Sequence, residues 1–143
     1  MEKQDNTSAV LQTVHATAQM GKSTLGQLLA QSDDADFSAV IRKQQQTYAE
    51  TAQRAARMLS ERGEQPQRQP VTDALSTLGL RLGTMMDSSP AHMARMMIEG
   101  SAMGITALRQ ELDHGEPEES AARMARNLVS FEEKSIETLK KYL

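Results

Sequence analysis

Glu99 and Glu132 are the residues whose type and position could do chemistry, because Glu99 is a carboxylate on the apolar face of a predicted helix and Glu132 borders the apolar face of another. Glu99 lies three residues after Met96 and four before Met103, and Glu132 lies four residues after Leu128. Carboxylates on the inner faces of bundle helices are ligands that iron and manganese accept. The spacing therefore predicts two core-facing carboxylates, and an Fe or Mn site built on them is one interpretation.

The rest of a di-iron pattern is incomplete. Such a site takes one Glu from each of two helices and Glu-x-x-His from the other two. Ser135 stands where a histidine would follow Glu132, and the second helix carries Gln44 and Tyr48 in place of Glu and His. A second interpretation is a polar core layer whose hydrogen bonds fix the register of the helices. Its predicted members are Gln44, Tyr48, Glu99 and Glu132. A third is a simple pair between Glu99 and Arg95, one helical turn apart.

A methionine-rich face forms the other candidate. It consists of Met93, Met96, Met97 and Met103, with His92 beside it. Thioether sulfur and imidazole are soft ligands that suit Cu(I). On a helix these side chains fall into neighbouring rows, however, and methionine commonly fills gaps in cores and adaptable interfaces. Packing is therefore the prediction, and Cu(I) binding is the alternative.

Composition excludes several classes of function. The chain has 143 residues, no cysteine, 3% aromatic residues and a formal net charge of −3. Without cysteine there is no disulfide, thiolate metal site or cysteine nucleophile. No basic face with interleaved aromatics is present, so nucleic-acid binding is not expected. No apolar stretch is long enough to span a membrane, and the N-terminus lacks the apolar region of a secretory signal. These features predict a cytoplasmic protein.

Helical periodicity predicts an all-α protein with one domain over residues 7–143, after a flexible tail at residues 1–6. Apolar residues recur at steps of three and four through four long segments. Ser89-Pro90 provides a helix start, and Gly63 provides a helix stop. The predicted helices cover residues 7–30, 34–62, 71–86, 89–112 and 118–142. We expect an antiparallel four-helix bundle running up-down-up-down, with the short helix at 71–86 inserted between the second and third long helices.

The strings MMDSSPAHMARMMIEGSAMGITAL and FEEKSIETLKKYL resemble a family of small uncharacterised bacterial proteins with a ferritin-like, rubrerythrin-like helical bundle. The resemblance extends from about Val14 to Leu143 and is strongest over residues 84–108 and 131–143. It implies a ferritin-like fold in a bacterial cytoplasm, without an intact di-iron motif and without an assigned activity.

Together these observations predict a non-enzymatic structural or interaction protein that forms a homo-oligomer or binds a protein partner. No cofactor is expected. The alternatives are a ferritin-like metal or redox protein using Glu99 and Glu132, and a Cu(I)-binding methionine-rich bundle.

Overall fold

The computed structural model describes residues 3–67 and 86–143, and over these ranges the chain is helical with no strand. Four helices are present: α1 (Thr7–Gln31), α2 (Ala35–Glu61), α3 (Pro90–Asp113) and α4 (Glu119–Lys140). The four long helices predicted from periodicity are therefore observed. The short helix predicted at 71–86 falls almost wholly outside the described residues. None of the described helices is long and apolar enough to cross a membrane.

Local signals explain where the helices begin and end. Ser89 Oγ accepts a hydrogen bond from the His92 N–H, and Pro90 occupies the first turn of α3. Asp34 caps α2 in the same way through the Phe37 N–H. At the other end of α2, Gly63 has a φ of 75°, which glycine adopts without steric cost. The N–H groups of residues 63 and 64 then bond back to the last turn of α2, which closes a Schellman motif.

The first turn of α1 shows how the helices run. Three hydrogen bonds join it to its neighbours: Ser8 Oγ to Glu64 Oε1 (2.5 Å), Asn6 Nδ2 to the Glu111 carbonyl (2.6 Å) and the Glu118 N–H to Thr7 Oγ1 (2.8 Å). The start of α1 therefore lies beside the ends of α2 and α3 and the start of α4. The order is up-down-down-up, so the expected up-down-up-down order is wrong.

The connection between α2 and α3 is the physical reason for this order. Helices α1 and α2, and α3 and α4, are joined by short turns that force antiparallel neighbours. Residues 62–89 instead form a connection long enough to return along a helix of about 40 Å. Nothing then requires α2 and α3 to be antiparallel.

Helix α1 lies at the centre of the packing, because it contacts the other three helices, while α3 also packs on α4. Two edge-on aromatic pairs link α2 to the last part of the chain. Tyr48 meets Phe131 with ring centroids 5.1 Å apart, and Phe37 meets Tyr142 at 4.8 Å. Such pairs add about 0.5–1.5 kcal/mol beyond the area they bury.

Residues 3–6, expected to be a flexible tail, instead form hydrogen bonds to the turn between α3 and α4. The Gln4 carbonyl accepts from the Glu116 N–H at 2.9 Å, and Lys3 Nζ donates to the Asp113 carbonyl at 3.2 Å. Gly115 is buried beneath them, and a Cβ there would collide with Gln4 and Asn6. Hydrophobicity patterns do not reveal this segment, because its contacts are hydrogen bonds of polar groups and not apolar packing.

Candidate functional site

A buried pair of polar side chains lies at the centre of the bundle. Tyr48 on α2 donates a hydrogen bond from Oη to Glu132 Oε2 on α4, with 3.1 Å between the oxygens. Glu132 is 1% exposed and Tyr48 is 5% exposed. The second carboxyl oxygen, Oε1, is buried and has no hydrogen-bond partner among the described residues. A buried polar atom without a partner is uncommon in native structures and requires an explanation.

Two glycines provide the space for this pair. A Cβ at Gly104 on α3 would lie 2.5 Å from Glu132 Oε2 and 2.7 Å from Oε1. A Cβ at Gly21 on α1 would lie 2.7 Å from three atoms of the Tyr48 ring. Any larger residue at either position would collide with the pair, so the two glycines let the carboxyl and the phenol pack directly against helix backbone.

Burial sets the protonation of both groups. Loss of solvent raises the pKa of Glu132 to about 8, and the Tyr48 hydrogen bond opposes this rise only in part. The pKa of Tyr48 is raised by burial and then by the neighbouring Glu132 charge. Both groups are therefore mainly neutral at pH 7.

A cavity of about 650 Å³ lies between α1 and α3 and reaches this pair. Its walls are mostly small or apolar side chains. The polar lining residues are Thr13, Thr17, Thr24, Gln44, Tyr48, Ser101, Thr106, Gln110, Glu111, His114 and Glu132. The wall residues include Ala16, Met20 and Gly21 from α1 and Met97, Gly104 and Ala107 from α3. Met20 and Ala107 are exposed, so the cavity opens to the surface of the described structure. Apolar concave sites with a few polar groups are typical of ligand-binding pockets.

Three of the four residues predicted to form a polar layer are buried and line the cavity: Gln44, Tyr48 and Glu132. Glu99 is exposed and does not line it, so its predicted place in this layer is corrected. The buried face of α3 passes through Met97 and Ser101. Glu99 is two residues from each, which is about 200° around the helix. Its spacing from Met96 and Met103 was misleading because those two residues lie at the same edge of the buried face, and Glu99 lies beyond that edge.

The same geometry separates the two carboxylates proposed as metal ligands, since Glu132 is inside the bundle and Glu99 is outside it. Across the described ranges, no group of three or more His, Asp or Glu side chains is arranged to hold a metal ion. Ser135, at the position of the missing histidine, is buried, and its hydroxyl donates to the Phe131 carbonyl.

The methionine-rich face belongs mainly to the core. Met93 and Met96 are 0% exposed and Met97 is 4% exposed, whereas Met103 and His92 are only half-buried. Met96, Met97 and Met103 also line the cavity, and Met93 does not. These positions fit the packing interpretation.

Sequence reasoning missed the partners of the polar pair. Gly100 and Gly104 form a Gly-x-x-x-Gly spacing in the sequence, but such a spacing does not show which side chain fills the space. Gly21 lies three residues after Ala18 and four before Leu25, on the apolar spacing of α1, but that spacing does not show that Tyr48 packs on it. The useful signal was a glycine inside an apolar helical face, which indicates a close approach by another group.

We expect the substitution Gly21→Ala to lower the free energy of unfolding by about 1–3 kcal/mol, because the new methyl group collides with the Tyr48 ring. Gly26→Ala in the same helix is the matched control. Its Cβ would meet only the end of the flexible Gln45 side chain, at 3.1 Å. There alanine's helix propensity should raise stability by up to about 1 kcal/mol. Urea unfolding measures both, and equal effects of the two substitutions would contradict the packing described.

Comparison with known proteins gives a likeness in fold. No protein-family model matches the chain, and no curated protein matches it. A solved structure that is similar is YcfI of Rhodopseudomonas palustris, described as "a putative structural protein". The two share 13% sequence identity with a TM-score of 0.60, over 94% of this chain and 90% of YcfI. At this identity the likeness shows the helical-bundle fold and no activity.

Proposed function

We propose that this chain is a non-enzymatic interaction protein of ferritin-like fold and that the cavity between α1 and α3 is its binding site. The observation that carries the proposal is the cavity itself, which is large, mainly apolar and open at the surface, with Gln44, Tyr48 and Ser101 among its polar lining residues. Apolar pockets with a few polar groups commonly bind and orient small molecules.

The connectivity supports the ferritin-like part of the proposal. Ferritin-like bundles contain one long crossover connection, whereas simple up-down bundles have short loops throughout. The chain between α2 and α3 must likewise return along the length of the bundle, because these two helices run in the same direction. The description of YcfI as a structural protein is compatible with a non-enzymatic role.

The metal-binding alternative has less support from the site. Glu132 is the single acidic side chain at the centre of the bundle among the described residues that line the cavity, since Glu111 is on the last turn of α3. Fe and Mn sites in bundles require several carboxylates and histidines together. A bacterial cytoplasmic setting and self-association stay predictions, and light scattering over a range of concentrations tests the second.

The cavity is tested with α-methylstyrene, a small hydrocarbon without a polar group, titrated into the protein and followed by NMR shifts of backbone amides. We expect saturable binding that moves the amides of Gly21 and Gly104. Ala107→Phe, which fills the cavity from its wall, should weaken binding at least about tenfold.

Ala39→Phe on the exposed side of α2 is the control, because it adds the same ring outside the cavity. The Ala39→Phe protein should bind α-methylstyrene with the affinity of the wild type, within twofold. Absence of saturable binding, or equal affinity in the Ala107→Phe protein, would show that this cavity does not bind apolar molecules.

A further inference from the structure

We propose that residues 71–86 of this chain occupy the open side of the cavity between α1 and α3, with their apolar side chains packed beside Met20 and Ala107. This inference goes beyond the proposed function, which concerns the inner part of the cavity beside Tyr48. It assigns the outer part of the cavity to a segment of the chain itself.

The open side of the cavity is a surface against which a helix can pack. Met20 is 39% exposed on the α1 wall, and Thr106 and Ala107 are exposed on the α3 wall. The α1 wall consists mostly of glycine, alanine and threonine, and no lysine or arginine is among the described lining residues. A groove with small wall residues and without like charges admits the large apolar side chains of another helix.

The residue that precedes the segment lies at one end of this cavity. Gln67 donates its backbone N–H to Gln12 Oε1 at 2.8 Å, which holds it beside α1. Gln67 lines a depression together with Thr13 and Glu111, and these two residues also line the cavity. Met86 precedes the start of α3, which lies at the opposite end of the bundle, because the end of α3 is bonded to the start of α1. The segment therefore leaves the described structure beside the cavity and must pass along the bundle.

The length of the segment fits a direct course beside α3. Helix α3 has 24 residues and is about 36 Å long. A helix over residues 71–86 would extend about 24 Å. Residues 68–70 add about 10 Å when extended. A straight path along the cavity therefore needs no more chain than the segment provides.

The sequence of the segment supplies an apolar stripe for this surface. In a helix, Thr77 and Thr84 would lie on the side opposite to that stripe. A helix with one apolar stripe is stabilised by packing that stripe against other helices. Five large apolar residues recur at steps of four and three, which places them on one side of a helix: Val71, Leu75, Leu78, Leu82 and Met85.

Covalent attachment favours this segment over a second copy of the chain. The segment is joined at both ends to the bundle that contains the cavity, so its binding there is intramolecular. Short tethers give effective concentrations on the order of millimolar. A second copy or a separate partner would have to compete with a segment already present at that concentration.

Paramagnetic broadening of NMR signals tests the proposal in the full-length chain. The chain has no cysteine, so Thr77→Cys creates a single attachment site for a nitroxide label. We expect the label to broaden the backbone amide signals of Met20 and Ala107. The amide of Ala39, which is exposed on α2, should keep its intensity.

Two further substitutions in the labelled protein test the apolar stripe. Leu78→Asp places a charge in the stripe, and burial of that charge without a partner is unfavourable. It should therefore abolish the broadening at Met20 and Ala107. Thr84→Asp is the matched control, because it adds the same charge on the polar side, and it should leave the broadening unchanged.

Each outcome decides the proposal. Absence of broadening at Met20 and Ala107 in the labelled Thr77→Cys protein would overturn it. A mixture of labelled chain without isotope enrichment and enriched chain without label identifies the source of any broadening. Broadening in the enriched chain of that mixture would show that the segment enters the cavity of a second copy, which also overturns the assignment.

Titration of the labelled protein with α-methylstyrene keeps the proposed function separate from this inference. Broadening at Met20 and Ala107 without saturable binding leaves the inference standing and shows that the proposed function is wrong. Saturable binding without broadening has the reverse meaning. The two proposals therefore fail through different measurements.

Discussion

Replacing Glu132 by glutamine is expected to become more favourable for stability as the pH rises. The change that the substitution makes in the free energy of unfolding should be up to about 5 kcal/mol more stabilising at pH 8 than at pH 4.5. The reason is the difference in pKa between the two states of the chain. The Glu132 pKa is about 8 in the folded protein, against 4.5 for an unperturbed glutamate.

The sign follows from proton binding. Between pH 4.5 and 8 the folded state retains the proton on Glu132, whereas the unfolded state has released it. Rising pH therefore favours the unfolded state, at about 1.4 kcal/mol per pH unit. The stabilisation is fully present below pH 4.5 and is lost as the pH approaches 8. Glutamine cannot ionise, so the free energy of unfolding of the Glu132→Gln protein should not fall with rising pH for this reason.

Urea unfolding of both proteins at intervals from pH 4.5 to 8.5 measures the difference. Glu133→Gln is the matched control, because Glu133 is adjacent in sequence and its side chain is 52% exposed beside Arg109. An exposed pair contributes about 0–1 kcal/mol, so that variant should follow the wild type closely. If the difference between the wild type and Glu132→Gln is constant with pH, the carboxyl is not held neutral in the folded protein.

The second large effect is expected at Met93, which is fully buried and lies outside the cavity. Met93→Ala should lower the free energy of unfolding by about 2–5 kcal/mol, because it removes buried atoms and leaves a void. Met93→Leu keeps a similar volume and should cost less than about 1.5 kcal/mol. Guanidinium chloride unfolding at constant pH measures both.

This pair of substitutions also separates packing from a Cu(I) role. A packing residue tolerates leucine, whereas a thioether ligand does not, because leucine has no sulfur. Met20→Ala is the control on α1, since Met20 is 39% exposed and loses less contact. A Met93→Ala protein as stable as the wild type would contradict the packing role, and loss of bound Cu(I) in Met93→Leu would restore the ligand interpretation.

The features of the fold that the sequence predicts are those that depend on residues within one helix, namely where the helix begins, where it ends and which face is buried. The Ser89-Pro90 start of α3 and the Gly63 end of α2 were both predicted and are confirmed, because a cap satisfies backbone groups only a few residues away. The apolar spacing of α1 identified its buried face for the same reason. The direction of α3 relative to α2 depends on the long crossover at 62–89, which carries no local signal of direction, and the prediction was wrong there.

For the site, local pattern identified the residues but not their arrangement. Tyr48 and Glu132 were both singled out from their positions in apolar stretches, and they are in contact, 84 residues apart in sequence. Glu99 was singled out by the same reasoning and is exposed, because it lies just beyond the edge of the buried face of α3, and spacing from residues at that edge does not show on which side of it a residue falls.

The sequence by itself determined that the protein is helical, where its long helices begin and end, and that two glutamates required an explanation. Tertiary structure alone decided that Glu132 is buried against Gly104, that Tyr48 packs on Gly21, and that a cavity opens between α1 and α3 beside them. The physical reason is that helix formation depends on neighbours within about four residues. The pKa of Glu132, the unpartnered oxygen and the cavity depend on groups brought together from all four helices.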